Sequence, residues 1–231
     1  MDSFLKDLQK IFSGEIESDI ATREKYSHDA SMFEIIPDVV VAPKDSKDIQ
    51  SLIKLVGKYK QQIPKLSVTA RSAGTDMAGG AINDSVIIDF NRHLTTIHEA
   101  SASEAHAQPG VFYRDFEKAT LAHSALMPSY PASREMATIG GMIGNNSGGE
   151  KSLEYGKTAE FVNELKVIFP METKQPGAVS RSADAFFTLV RHPFKMKIYL
   201  LKNLPSAFFS GLKVVQANDK ECCVSVPYKW F

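Results

Sequence analysis

The chain has 231 residues, of which 43% are hydrophobic and 23% charged, with 27 basic and 27 acidic side chains. This composition is typical of a globular protein with one or two cores and argues against disorder along the whole chain. Because there is no excess of positive charge, nucleic-acid binding is disfavoured. No run reaches the roughly 20 apolar residues that cross a bilayer, so no transmembrane segment is predicted.

The compartment is predicted from the N-terminus and the cysteines. Charged residues interrupt the apolar positions of residues 1–20, whereas a signal peptide keeps an unbroken apolar stretch. The only cysteines, Cys222 and Cys223, are adjacent, a spacing that suits neither an ordinary disulfide framework nor a zinc site. We therefore expect a reducing, cytoplasmic setting and no metal.

The first 90 residues predict an α/β unit. An amphipathic helix is expected over residues 2–12 and a strand over 37–43, followed by a helix that Ser46 or Asp48 would cap. Two further β-branched runs then predict strands at 66–70 and 85–90. This strand-helix-strand order favours parallel pairing.

Two glycine-rich loops are the main functional signal. Residues 71–80 hold three glycines and can turn backbone N–H groups towards an anion such as a diphosphate, although composition alone fits a flexible surface loop equally well. After a predicted strand at 104–108 and helix at 111–122, residues 130–149 form a second loop with five glycines. Such a loop lets a large planar ligand approach the backbone. A strand is expected at 164–169.

Five motifs in order carry a resemblance to a known family: residues 26–31 (YSHDAS), 37–43 (PDVVVAP), 71–76 (RSAGTD), 108–110 (QPG) and 138–146 (TIGGMIGNN). They resemble the FAD-binding domain of the vanillyl-alcohol oxidase type, within it the FAD-linked D-lactate dehydrogenase and glycolate oxidase branch. The resemblance runs from about residue 20 to 169. It implies an α+β fold in which FAD lies between two subdomains, with the second subdomain truncated here and followed by a partial α+β segment.

The resemblance also implies which residues hold FAD. The diphosphate would be held around Arg71, Ser72, Ala73, Gly74, Thr75 and Asp76. The ribityl chain and isoalloxazine would be lined by Pro131, Ser133, Thr138, Gly140, Gly141, Asn145 and Ser147. Some members attach FAD through a histidine near the first loop, but no His or Cys lies within residues 66–90, so non-covalent FAD is predicted.

The reaction implied is hydride removal from a D-2-hydroxy acid similar to lactate or glycolate, with electrons passed to a second acceptor. The substrate domain of such enzymes follows the FAD domain, and the sequence ends before one could be completed. Whether the chain is itself an enzyme is left open, and no catalytic residue is assigned. The six histidines are expected to serve as surface or packing residues.

The final 60 residues change in character. Residues 172–231 carry nine basic and four acidic side chains, against 18 and 23 before them. We predict an FAD-binding domain at 1–170, a linker or junction at 171–182 and, at 183–231, a segment that resembles the start of a hotdog-fold, thioesterase-like domain. Within it, an apolar helix at 186–201 is expected to pack on its own domain rather than on a membrane surface.

Three functions follow from these predictions. The first is an FAD-binding oxidoreductase, whose partners would be a small-molecule 2-hydroxy acid and an electron acceptor. The second is a non-catalytic flavin-binding fragment or subunit that a partner subunit completes. The third is an acyl-CoA thioesterase-like module in the tail, in a chain that joins two incomplete domains.

Overall fold

The computed structural model describes residues 1–168 and two strands at 213–216 and 224–227. Its helices are α1 (Asp2–Ile11), α2 (Ile20–Lys25), α3 (Ser46–Tyr59), α4 (Tyr113–Leu121), α5 (Ile139–Gly144) and α6 (Ser152–Tyr155), with a 3-10 helix at Thr158–Phe161. Its strands are β1 (Glu15–Glu17), β2 (Val39–Ala42), β3 (Val68–Arg71), β4 (Val86–Asp89), β5 (Ile97–Ala100), β6 (Glu104–Ala107), β7 (Glu164–Val167), β8 (Lys213–Gln216) and β9 (Val224–Pro227).

The first subdomain is a four-stranded sheet in the order β1-β2-β4-β3. Strands β2 and β3 both run parallel to β4, which confirms the predicted parallel pairing. All four residues of β2 and of β4 are buried, as expected of strands covered on both faces. Apolar side chains of α1 and α3, including Phe4 and Leu52, pack against Val39, Val86 and Ile88 in one core.

The start of α3 corrects one prediction. Its N-cap is Asp45, whose carboxylate accepts hydrogen bonds from the N–H groups of Lys47 and Asp48 at 2.8 and 3.0 Å. Ser46 is the first helical residue. The Asp48 carboxylate is instead used outside the helix, where it accepts a hydrogen bond from the backbone N–H of Ser13 at 2.8 Å.

The second subdomain is a five-stranded sheet in the order β5-β6-β9-β7-β8. The predicted strands at 104–108 and 164–169 and the predicted helix at 111–122 correspond to β6, β7 and α4. Side chains of α4 and α5, among them Tyr113, Phe116 and Ile139, form the second core with Phe161 and Leu165. The two sheets and their helices make the chain an α+β protein, as predicted.

The second glycine-rich segment is not a loop throughout. Residues 139–144 form helix α5, although three of its six residues are glycine. The Thr138 hydroxyl caps it by accepting a hydrogen bond from the Gly141 N–H at 3.2 Å. Ile139, Met142 and Ile143 lie at helical spacing and are buried in the second core. Burial of this apolar face outweighs the low helix propensity of glycine, which had indicated a loop.

The predicted tail segment contributes two described strands, which lie in the same sheet as β5, β6 and β7. Strand β9 pairs antiparallel with both β6 and β7, and β8 pairs parallel with β7. The junction at 171–182, the helix expected at 186–201, both cysteines and most of the hotdog-like segment lie outside the described residues. The division of the chain at 170 and 182 stays a prediction.

Candidate functional site

A cleft opens between the two subdomains where the parallel strands β3 and β4 end. Arg71 and Asp89, the last residues of these strands, are paired in register, and the first glycine-rich loop leaves the sheet at this point. Ligands of open α/β sheets bind outside the carboxyl ends of parallel strands. The cleft is open on one side and encloses, together with that opening, about 910 Å³ of empty space.

Twelve of the thirteen residues predicted to hold FAD line this cleft together. They are Ser72, Ala73, Gly74, Thr75, Asp76, Pro131, Ser133, Thr138, Gly140, Gly141, Asn145 and Ser147. Six lining residues escaped the sequence prediction: Ala70, Gly80, Ala81, Ala137, Met142 and Gly144. Gly80 and Gly144 lie within the two glycine-rich segments and could have been included on that signal, whereas Met142 becomes recognisable only once α5 is known.

Arg71 lies behind the first loop rather than in the cleft wall. Gly74 has a φ of +67°, and a Cβ atom there would lie 2.5 Å from the guanidinium of Arg71. That guanidinium donates hydrogen bonds to the carbonyl oxygens of Tyr26 and Ala81 at 3.4 and 3.3 Å and lies 5.2 Å from the Tyr26 ring centre. Burial lowers the pKa of Arg71 from its ordinary value. The loop therefore rests directly on a partly buried cation.

The motif at residues 26–31, whose Tyr26 contacts Arg71, also supports the first loop. The N–H of Ala30 donates a hydrogen bond to the backbone oxygen of Asp76 at 3.0 Å. The Tyr26 hydroxyl donates to the Asp89 carboxylate at 2.5 Å, and burial raises the pKa of Tyr26. This motif thus holds the first loop against the ends of β3 and β4.

The second loop is fixed by a close approach between backbones. The Gly140 N–H donates to the Pro109 oxygen at 2.8 Å, and a Cβ on Gly140 would lie 2.6 Å from the Pro109 Cβ. A side chain at Gly149 would meet the Tyr130 oxygen at 2.1 Å. The motif at 108–110 is therefore the surface on which α5 rests, and glycine is needed at both contact points.

Arg134 ties the second loop to α4. Its guanidinium donates two hydrogen bonds to the Glu117 carboxylate, one from Nε at 3.1 Å and a second, shorter one from Nη2. Its guanidinium also lies 4.6 Å from the Tyr130 ring centre. The Glu117 side chain is only 10% exposed. This two-point contact orients the backbone beside Ser133, which lines the cleft.

The described histidines lie away from the cleft. His28 and His93 contact Glu34 and Glu15 at 3.3 and 2.9 Å, and none of the five described histidines is among the lining residues. His192 lies outside the described residues. Within the described part of the chain, no group of three or more His, Cys, Asp or Glu side chains could hold a metal ion. No helix in that part is both long and apolar enough to cross a membrane.

The cleft is therefore a binding surface made mostly of small residues. Glycines expose backbone N–H groups, while Ser72, Thr75, Ser133 and Thr138 add hydroxyl groups at the wall. At Gly144 a Cβ would meet no protein atom within 4 Å, so the wall has room there for a ligand at backbone distance. These groups suit a large planar cofactor with a polar edge and a diphosphate.

Comparison with known proteins agrees with a cleft that suits such a cofactor. A family model described as "FAD binding domain" matches residues 37–173. D-2-hydroxyglutarate dehydrogenase of Haemophilus influenzae is 32% identical over 168 residues, covering 71% of this chain and 16% of that protein. Glycolate oxidase subunit GlcD of Bacillus subtilis is 30% identical over 152 residues, covering 64% of this chain and 31% of that protein.

The fold is shared with a solved structure of alkyldihydroxyacetonephosphate synthase. The TM-score is 0.67 at 16% identity, over 99% of this chain and 40% of the other. The family match covers more than half of the chain, so the protein belongs to the FAD-binding domain family. The predicted two-subdomain fold and the FAD cofactor are thereby confirmed. The chain spans less than a third of either curated relative described above.

Proposed function

We propose that this chain is the FAD-binding part of an oxidoreductase that oxidises a small D-2-hydroxy acid. The observation that supports the flavin site best is the meeting of twelve predicted residues in one cleft at the ends of parallel strands. The substrate class rests on relatives named D-2-hydroxyglutarate dehydrogenase, glycolate oxidase subunit GlcD and D-lactate dehydrogenase.

FAD bound in this cleft would supply the acceptor for a hydride from the α-carbon of the substrate. The protein's own task is to bind and orient. N–H groups and hydroxyl groups of the first loop would offset the diphosphate charge, supported by the Arg71 cation behind Gly74. The wall of α5, with its glycines and Thr138, would lie against the ring and ribityl chain.

We propose that the FAD is held without a covalent bond. Among the described residues that line the cleft, none is a His, Cys or Tyr, the side chains that commonly form such a bond. Acid precipitation of the flavin-loaded protein should leave the yellow colour in the supernatant. Colour that stays with the pellet would refute this part of the proposal.

Two matched glycine substitutions test the flavin site. Gly144→Ala and Gly57→Ala each place a Cβ in a helix where no protein atom lies within 4 Å, but only Gly144 lines the cleft. Both variants should fold like the parent, because alanine is the better helix former. FAD titration of the 231-residue chain should show binding about tenfold weaker for Gly144→Ala and unchanged for Gly57→Ala. Equal FAD affinity in both variants would argue against this cleft.

The oxidoreductase step needs its own test. The flavin-loaded chain is mixed under anaerobic conditions with D-2-hydroxyglutarate, D-lactate or glycolate, and loss of the oxidised flavin band is followed. Bleaching by D-2-hydroxyglutarate or D-lactate but not by its L-enantiomer, or bleaching by the achiral glycolate, would support the proposal. A fully loaded protein that no 2-hydroxy acid reduces would favour the alternative described next.

The alternative is a non-catalytic flavin-binding subunit that a partner completes. One observation favours it: in the part of the cleft wall that the structure describes, Asp76 is the single ionisable side chain, and both of its oxygens already accept hydrogen bonds. No free acid or base therefore faces the cleft from the described residues to accept a substrate proton. Substrate-dependent flavin reduction that appears only on adding a co-purified partner would identify this case.

A further inference from the structure

The chemistry of Asp76 is unexpected at the place it occupies. It lies in the loop assigned to the FAD diphosphate and is the one ionisable side chain in the described wall of the cleft. A carboxylate close to a diphosphate is electrostatically unfavourable. The residue must therefore provide something else.

The Asp76 carboxylate makes contacts on both of its oxygens. Oδ2 accepts hydrogen bonds from the N–H groups of Ala78 and Gly80 at 3.2 and 2.6 Å. Oδ1 accepts a hydrogen bond from the Asn145 side-chain amide, Nδ2, at 3.0 Å. The latter bond joins residues 69 positions apart. Between the described residues 71–80 and 130–149, it is the one hydrogen bond that connects the two loops.

Both ends of this connection are anchored in their own subdomains. The backbone oxygen of Asp76 is held by the Ala30 N–H. Asn145 directly follows α5, and its backbone N–H donates to the Gly141 oxygen at 3.0 Å. Helix α5 in turn rests on Pro109 through Gly140. A bond between two anchored points sets the distance between the loops.

We propose that Asp76 and Asn145 form a clasp that positions the two flavin-binding loops across the cleft. This inference rests on the proposed flavin site. A hydrogen bond to an ionised carboxylate is shorter and stronger than one between neutral groups, so aspartate makes the firmer clasp. The N–H groups of Ala78 and Gly80 offset part of its charge and reduce its repulsion of a diphosphate. Asp76 and Asn145 are positioning residues in this account, not catalytic ones.

A charge-swap series tests the clasp. Asn145→Asp faces Asp76 with a second carboxylate of almost the same shape, so the loops should separate. The double variant Asp76→Asn with Asn145→Asp restores one carboxylate and one amide in exchanged positions. Since Asn145 is exposed, these variants should retain the parent's circular dichroism spectrum. Asn145→Ala removes the bond without adding repulsion and serves as the matched control.

Two readouts are measured on the 231-residue chain. In FAD titrations we expect Asn145→Asp to bind about tenfold more weakly, Asn145→Ala about threefold more weakly, and the double variant to recover to within about threefold of the parent. In hydrogen exchange without flavin, the amides of Ala78 and Gly80 should exchange faster in Asn145→Asp and return towards the parent rate in the double variant.

The double variant distinguishes the clasp from a purely local role of Asp76. A double variant that is no better than Asn145→Asp in either measurement would overturn the clasp, because a purely local role of Asp76 in its own loop predicts no rescue. The exchange experiment uses no flavin. If the parent bound no FAD, the proposed function would fail while the exchange rates would still judge the clasp.

Discussion

Gly140 offers the sharpest stability test, because its neighbours are the backbone and the rigid ring of Pro109 rather than a flexible side chain. Replacing it with alanine places a Cβ 2.6 Å from the Pro109 Cβ and 2.7 Å from the Pro109 oxygen. Non-bonded carbon contacts are favourable only at about 3.5–4.0 Å. Helix α5 would have to move away from the turn at 109–110 by about 1 Å to remove this overlap.

The cost follows from three contributions. Overpacking of this kind costs about 1–3 kcal/mol, and loss of the hydrogen bond from the Gly140 N–H to the Pro109 oxygen costs about 1 kcal/mol. The better helix propensity of alanine offsets about 1 kcal/mol of this destabilisation. We therefore expect a net loss of about 1–3 kcal/mol, equivalent to a decrease in Tm of about 3–10 °C for a chain of this size.

The assay is urea unfolding of the 231-residue chain, followed by far-ultraviolet circular dichroism. Gly57→Ala is the control: it adds the same methyl group inside α3 with no atom within 4 Å and should stabilise the chain by up to about 1 kcal/mol. The difference between the two alanine variants isolates the contact with Pro109. If Gly140→Ala unfolded at the same urea concentration as Gly57→Ala, the close approach of α5 to the turn would be refuted.

Two further predictions concern charged groups. Arg134→Met removes the two hydrogen bonds that Arg134 donates to the Glu117 carboxylate and leaves it the longer one from the Tyr113 hydroxyl at 3.4 Å. This change should lower the free energy of unfolding by about 1–2 kcal/mol. Adding Glu117→Gln should recover part of this loss, and an unchanged urea midpoint for Arg134→Met would contradict the prediction. The hydrogen bond from the Arg92 guanidinium lowers the pKa of Glu15 below its ordinary 4.5. The pair of Glu15 and Arg92 therefore stabilises the folded state above about pH 4.5, and its contribution is lost as the pH falls through the lower folded-state pKa of Glu15. Urea midpoints measured from pH 6 to pH 3 should fall less in Glu15→Gln than in the parent, and parallel curves would refute the coupling.

Local sequence signals predicted the first subdomain well. Runs of β-branched residues such as 37–43 are long enough only for strands, and the helix between them explains their parallel pairing. Local sequence signals missed helix α5, because the three glycines of residues 139–144 indicated a loop. The helix depends on burial of the face formed by Ile139, Met142 and Ile143, which composition does not show. The same signals also misplaced the N-cap of α3, since three neighbouring polar residues could each accept a backbone hydrogen bond.

The candidate site was likewise predicted from the sequence only in part. Twelve of the residues that line the cleft were predicted because the resemblance to the FAD-binding family rests on short motifs, and such motifs are local. Arg71 belongs to one of these motifs, yet only the structure places its guanidinium behind Gly74 instead of in the cleft. The bond between Asp76 and Asn145 spans 69 positions and has no local signature.

The sequence alone thus determined the α/β character of the first subdomain and the two glycine-rich segments, because these depend on residue chemistry within short stretches. Its short motifs also carried the family resemblance that implied FAD. The tertiary structure decided which of those residues share one cleft, which lie behind its wall, and how β9 enters the second sheet between β6 and β7. All of these features depend on the distances between segments that are far apart in the chain. They follow from the packing of two cores, which no short stretch of sequence encodes.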